Sequence, residues 1–372
     1  MTANYALSNA AEQLTPSMVF YTELIRKNIA AVIALAGSPS RLRPHVKTHK
    51  TIEIVQMLLA AGVTAHKCAT IAEAELLAMA GATDVLIAYP LVGPNIARLF
   101  ALKVKYPQVR FSSLVDHPVH LELLSKGAIA AKATAEFVLD VDVGQHRTGV
   151  GLDAAGEIYR HAAKQPGLQP AGLQAYDGHN HQENRADRDA AVAVWLKPVL
   201  ALRTNLEAAG LAVPRIVVGG TPTFPVLAAN PDVSGLECSP GTFVLYDNGY
   251  GSKYDDLSSL TPAAVLLTRV ISKPTPTRVT FDLGNKSVAA DPLLKNRVKL
   301  LDAPPYETVG HNEEHLIIET VEADRYQIGD VVYALPGHVC PSVALHKSVL
   351  IAEGGRVTGS WVVLARDRVL TV

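Results

Sequence analysis

Between about Ser17 and Val265 the chain alternates short β-rich runs with helix-like stretches, and this alternation limits the fold more than any other feature. Candidate strands are SMVFYT, RLRPHVK, VTAHKCA, DVLIAY, RFSSLVD, AEFVLDVDV, LQPAGLQAYDG, RIVVGG and GTFVLYD. Between most of them lie segments such as TIEIVQMLLAAG, TIAEAELLAMAG and AVAVWLKPVLALRTNLEAAG. Their apolar residues recur three and four apart and each closes on glycine, the marks of an amphipathic helix with its C-cap. Repetition of this kind implies α/β architecture with a parallel sheet, and so many units favour a closed (β/α)8 barrel of TIM type. After about Thr261 the texture changes. VLLTRVISKP, TRVTFDLGN, EEHLIIETVE, GDVVYALP, SVLIAEGG and GSWVVLARDRVLTV read as strands separated by Gly, Pro and Asp turns. We expect a barrel over residues 17–260 and a C-terminal β-domain over residues 261–372, joined by a strand from about residues 1–16.

Composition excludes several function classes. The formal charge of the 372 residues is −1, with 19% charged residues and no basic tract, which argues against nucleic acid as a partner. No uninterrupted apolar run reaches the roughly 18 residues of a membrane span. MTANYALSNAAEQ lacks the basic and apolar regions of a signal peptide. The three cysteines, Cys68, Cys238 and Cys340, lie far apart and form no disulfide framework. The expectation is a cytoplasmic protein with free thiols.

RPHVKTHK, residues 43–50, places two lysines, two histidines and an arginine at a strand's end. As a solvated basic turn it would carry no chemistry. At the C-terminal end of a barrel strand, Lys47 is instead placed to form a Schiff base with a carbonyl compound such as pyridoxal phosphate. A strand running through Lys47 would put His45 and Lys47 on one face and Val46 on the other. VVGGTPTFP, residues 217–225, offers small residues through which backbone N–H groups approach an anion, and a following helix would add its dipole. Gly-Gly after a strand is also an ordinary tight turn. Ser239-Pro240-Gly241-Thr242 makes a second turn late in the barrel order, where phosphate is commonly held.

RPHVKTHKT, VDVGQHRTGV, GLQAYDGH, GGTPT, ECSPGTFVLYD, EEH and GHVCP follow one another in an order that resembles the D-threonine aldolase and D-serine dehydratase family, which has the alanine-racemase-type barrel for pyridoxal phosphate. The resemblance runs from about Thr15 to about Glu353. It implies that Lys47 is the Schiff-base lysine and that Arg147 lies near the cofactor's phenolic oxygen. Tyr176 would face the pyridine nitrogen, and Thr221, Gly241 and Thr242 would hold the phosphate. A neutral tyrosine at that nitrogen makes the ring a weaker electron sink, which suits a reaction helped by a metal at the leaving hydroxyl. The resemblance also implies a homodimer, with metal and cofactor sites completed across the interface.

GDVVYALPGHVCP reads as a strand entering a turn, so His338 and Cys340, two apart, would point the same way. Imidazole and thiolate on one face make a zinc-type half-site. A packed core thiol beside a histidine is the plain alternative. The resemblance favours the divalent ion, zinc over manganese or magnesium because thiolate is soft. His311, Glu313, Glu314 and His315 are candidates to support it, or else an exposed charged turn; His179 and His181 would line the barrel mouth. The dehydratases of the family tend to carry His-x-Cys here and the aldolases His-x-Asp. The expected activity is therefore a pyridoxal-phosphate- and metal-dependent lyase on D-β-hydroxy amino acids, giving keto acid and ammonia from a D-serine-like substrate. D-Threonine aldolase chemistry is the alternative, followed by a racemase or a non-catalytic pyridoxal phosphate carrier.

Overall fold

The structure is a computed structural model that describes residues 4–230 and 233–372. It divides into two compact units, one formed by residues 32–47, 52–241 and 367–372, the other by residues 4–31, 48–51 and 242–366. No helix among the described residues is long and apolar enough to cross a membrane.

The first strand, β1 (Ser17–Tyr21), was expected to open the alternating region but belongs to the second unit. The first unit is built on parallel strands β2 (Ala65–Cys68), β3 (Asp84–Pro90), β4 (Arg110–Val115) and β5 (Ala135–Asp142). They are followed by the short β6 (Val150–Gly151) and by β7 (Leu168–Ala175), β8 (Ile216–Val218) and β9 (Leu236–Cys238). The order is β2-β3-β4-β5-β7-β8-β9, with β6 paired beside β5. RLRPHVK forms no regular strand. It bridges Leu42 to Cys238 of β9 and His45 to Lys67 of β2, so this segment joins the two edges and closes the ring. GTFVLYD is not a strand either. Its Thr242–Val244 portion is a 3-10 turn whose Thr242 carbonyl accepts the Leu245 and Tyr246 N–H groups, donors that a ladder would otherwise use. The last barrel strand is Leu236–Cys238, one segment earlier.

Alternation along β5 sorts the interior into layers, because Glu136, Val138 and Asp140 share a face. At the N-terminal ends of the strands Asp84 receives Arg43 Nη1 and Arg215 Nη1, each at 2.9 Å, and Glu136 lies 3.5 Å from Arg215. Arg215 precedes β8 and Asp84 opens β3, strands that are not neighbours, so this network crosses the inside of the ring. Above it packs an apolar layer of Leu86, Leu114, Val138, Ala171 and Val217. Above that, Asp140 accepts hydrogen bonds from Thr148 Oγ1 and Gln174 Nε2. Charge at the bottom face stabilises, while the upper layer is left for chemistry.

The second unit adds β10 (Ala264–Thr275), β11 (Arg278–Phe281), β12 (Val298–Leu300) and β13 (Glu307–His311). Then come β14 (Leu316–Glu319), β15 (Val331–Pro336), β16 (Ser348–Glu353) and β17 (Arg356–Val362). Its sheet runs β13-β14-β11-β10-β1-β16-β17, with β15 on β10 and β12 on β15. β1 lies antiparallel to β10, Val19 opposite Val265, and parallel to β16. The sequence MVFY is buried on both faces, a run whose periodicity cannot distinguish one sheet from the other. Residues 4–16, where a joining strand was expected, hold a 3-10 turn at Ala10–Glu12, and residues 1–3 lie outside the described ones. Leu7, Val19, Tyr21, Val265, Leu267, Leu335 and Ala352 form the core.

Candidate active site

Lys47 lies in a 3-10 turn, Val46–Thr48, and not on a continuing strand. The ladder ends at His45, whose Nδ1 accepts the Lys47 N–H at 3.2 Å, so a side chain takes the donor that a further bridge would need. The surrounding segment is no solvated basic turn. Arg43, His45 and His49 are buried, and Arg43 is committed to the ion network.

Tyr176, one residue past β7, gathers three cations of its own unit. Arg147 Cζ stands 4.8 Å from the ring centroid, Lys67 Nζ 5.9 Å and Lys47 Nζ 6.0 Å. The ring needs a glycine beside it, since a Cβ on Gly178 would lie 2.5 Å from the ring. Burial and the neighbouring Lys47 charge lower the Lys67 ammonium to about 7. Lys67 sits in the plain strand AHKC, and only its inward register marks it. Three positive groups around one ring fit a ligand with several negative charges, which is what pyridoxal phosphate with its phosphate and phenolic oxygen presents.

The two glycine-containing turns meet within this unit. Thr221 Oγ1 accepts the Gly241 N–H at 3.3 Å. Thr223 donates to Asp177 at 2.9 Å and accepts the Gly220 N–H, and burial pushes the Asp177 carboxyl up to about 6. The following helix, Phe224–Ala228, has five residues, so the expected dipole contribution is small. His179 packs its Nε2 against Gly144, beside a turn in which Asp142 accepts the Gly144 and His146 N–H groups. Burial lowers the His179 imidazole.

In the second unit, His338 and Cys340 are not on a strand. β15 ends at Pro336, His338 is the N-cap of a helix, and Cys340 lies in the first turn of that helix, Val339–Leu345. The side chains still meet. The hydrogen bond to Cys340, and after it the one to Asp291, pushes the His338 imidazole up to about 9. His338 Nδ1 is 2.6 Å from Asp291 Oδ2, while Cys340 Sγ is 3.2 Å from Thr48 Oγ1 and 3.5 Å from Thr242 Oγ1. Thr242, expected at the phosphate, thus has its hydroxyl beside the thiol. Among the described residues no group of three or more His, Cys, Asp or Glu side chains is arranged to hold a metal ion; His338 and Cys340 bring two donor atoms together. The donor chemistry fits zinc: imidazole and thiolate on the metal side, with a carboxylate behind the histidine as metal-binding histidines commonly have. Glu313 and Glu314 do not support it. They pair with the half-exposed Lys286 at 2.8 and 3.2 Å in the hairpin turn between β13 and β14. Asp291, absent from the sequence reading, lies 47 residues upstream of His338 in a motif without a metal-site spacing.

An alanine racemase N-terminal domain matches residues 22–243 and a serine dehydratase domain matches residues 263–352. A D-threonine aldolase from an Arthrobacter species is 30% identical over 357 residues, covering 95% of this chain and 92% of that one. The chain belongs to the D-threonine aldolase and D-serine dehydratase family. Another relative, the D-threo-3-hydroxyaspartate dehydratase of Delftia, is 25% identical over 91% of this chain and 95% of its own length. A solved cysteine-to-alanine variant of a D-threo-3-hydroxyaspartate dehydratase, in a metal-free form, has the same fold, with a TM-score of 0.83 at 24% identity over 95% of this chain and 98% of that one. The crystal structure of D-threonine aldolase from Filomicrobium marinum agrees with a TM-score of 0.88 at 25% identity, covering 98% of this chain and 99% of that one. Membership makes this chain a pyridoxal-phosphate-dependent lyase acting on a small D-amino acid.

Proposed function

We propose that the protein is a metal-dependent dehydratase of D-β-hydroxy amino acids, converting a D-serine-like substrate to keto acid and ammonia. The observation that carries this reading is the Asp291–His338–Cys340 set, which offers a borderline-soft divalent ion an imidazole and a thiolate. The cofactor, when bound, would supply electron withdrawal at Cα of the amino acid, and a zinc ion held by His338 and Cys340 would supply Lewis-acid chemistry for a β-hydroxyl leaving group. Lys47 would be the amine that holds the cofactor and the base that takes the proton from Cα. Arg147, Tyr176 and Lys67 would form the charged and aromatic wall of the cofactor's place, Arg147 serving its phenolic oxygen and Tyr176 its ring nitrogen. Thr221 and Gly241 would lie at the phosphate, whereas the Thr242 hydroxyl lies beside the Cys340 thiol. A neutral phenol at Tyr176 would make the cofactor's ring a weaker electron sink than a carboxylate partner would.

The Arthrobacter relative at 30% identity favours a second reading, cleavage of Cα–Cβ to glycine and an aldehyde. Incubation with D-serine and with D-threonine distinguishes the two. Pyruvate and 2-oxobutyrate are the expected products; glycine with acetaldehyde would give the aldolase reading the place. A homodimer is part of the proposal, and light scattering checks it.

A further inference from the structure

Asp247 is 2% exposed, carries a carboxylate, and takes no part in the chemistry described above. One oxygen, Oδ1, accepts the Tyr250 N–H at 3.0 Å and caps the short helix Asn248–Gly251. The other, Oδ2, reaches 92 residues along the chain to accept the N–H of Val339 at 3.0 Å. Val339 is the residue between the two metal donors and the first of its helix.

Three other contacts hold the same stretch of backbone. Ser342 Oγ donates to the His338 carbonyl at 2.7 Å and accepts the Ala289 N–H at 3.0 Å. The Gly337 N–H donates to the Arg297 carbonyl at 2.8 Å. A Cβ on Gly249 would stand 2.4 Å from the Gly337 carbonyl oxygen and one on Gly337 1.8 Å from that of Asn296, so main chain packs directly on main chain on both sides. A buried carboxylate costs several kcal/mol of solvation unless charge-assisted donors repay it. Capping a four-residue helix does not require that expense, since a serine or asparagine serves as well.

We infer that Asp247 is a positioning residue for the metal: its carboxylate fixes the His338–Cys340 backbone so that imidazole and thiol are held in place before an ion arrives. The inference rests on the metal reading above. Asp247→Asn keeps the size and the acceptor for Tyr250 but turns an NH2 toward the Val339 N–H, donor against donor. On the cofactor-loaded protein, zinc affinity measured by competition with a chromophoric chelator should fall about 10–100-fold. The cofactor's visible absorbance should stay at full occupancy. A capping role alone would lower the melting temperature and leave zinc affinity where it was. Should Asp247→Asn fail to fold, Ser342→Ala removes the second clamp and should weaken zinc roughly tenfold by the same competition. Wild-type zinc affinity in the folded variants overturns the inference. Wild-type protein that takes up no zinc overturns the metal reading and the inference with it.

Discussion

The Asp291 carboxylate stands 2.6 Å from Nδ1 of His338, so Nδ1 donates to it and the other ring nitrogen is the one turned to the proposed metal. Both side chains are about half exposed, which makes the pair weak as a stabilising ion pair but still able to fix the ring's tautomer. Asp291→Ala should leave the melting temperature nearly unchanged and loosen zinc by on the order of tenfold, measured as metal retained after dialysis against a chelator. Equal retention in variant and wild type would remove Asp291 from the site.

The three thiols separate by position. Cys68 and Cys238 are buried in the first unit, whereas Cys340 is half-buried beside His338. Cys340→Ala should lower turnover of D-serine by on the order of a thousandfold, since a lost Lewis acid removes several kcal/mol of transition-state stabilisation. Cys68→Ala and Cys238→Ala should keep wild-type rates. Similar losses in all three variants would mean that the cysteines act through packing.

Lys47 and Lys67 lie at nearly equal distances from Tyr176, so borohydride reduction followed by peptide mapping is a stringent check. The label belongs on Lys47, and Lys47→Ala should lose both the label and activity. A labelled Lys67 or Lys50 would move the cofactor attachment. Lys50 Nζ already donates to the Ala365 carbonyl.

Lys67 also sets a pH dependence. Its folded-state value of about 7 lies below the 10.5 of an ordinary lysine amine. Between these values the unfolded chain holds the extra proton, so the stability of the cofactor-free protein rises with pH across that window. The destabilisation is fully present below about pH 7 and relieved toward pH 10. Lys67→Met should abolish this rise, so the melting-temperature advantage of wild type over Lys67→Met should grow from pH 7 to 9. A difference that stays flat or shrinks contradicts the assignment. Cys238, pushed up to about 12 by burial, acts in the opposite direction above pH 9 in both proteins and cancels from the comparison.

At the other face, Arg43 has a fully buried side chain against Asp84 and Glu237. Arg43→Ala takes a guanidinium from Glu237 and from Asp84, which keeps Arg215, and should cost about 3 kcal/mol, read as a lowered urea midpoint. Cofactor stoichiometry in the folded fraction should be unchanged.

The strand–helix alternation made the barrel readable, and the change of texture after Thr261 made the second sheet readable. Besides RLRPHVK, which makes only isolated bridges, two strands were misassigned for definable reasons. MVFY is apolar throughout, so nothing in it favours one sheet over another, and GTFVLYD has strand propensity that the turn at Thr242 overrides. The Lys47 motif and the His-Val-Cys motif were legible as residue types, but their backbones were not, because the side chains of His45 and Asp247 accept backbone N–H groups there and decide the local turns. Lys67, Asp247 and Asp291 were invisible. Each is an ordinary residue in an ordinary segment, and only the fold brings it beside a functional group.

The central claim is that a divalent ion at His338 and Cys340 makes the β-hydroxyl leave. Treating the enzyme with a chelator, confirming metal removal by elemental analysis, and following pyruvate from D-serine tests it most directly. The cofactor's visible absorbance should persist, pyruvate formation should fall by on the order of a thousandfold, and added zinc should restore it. Metal-free protein turning D-serine over at the full rate would contradict the account.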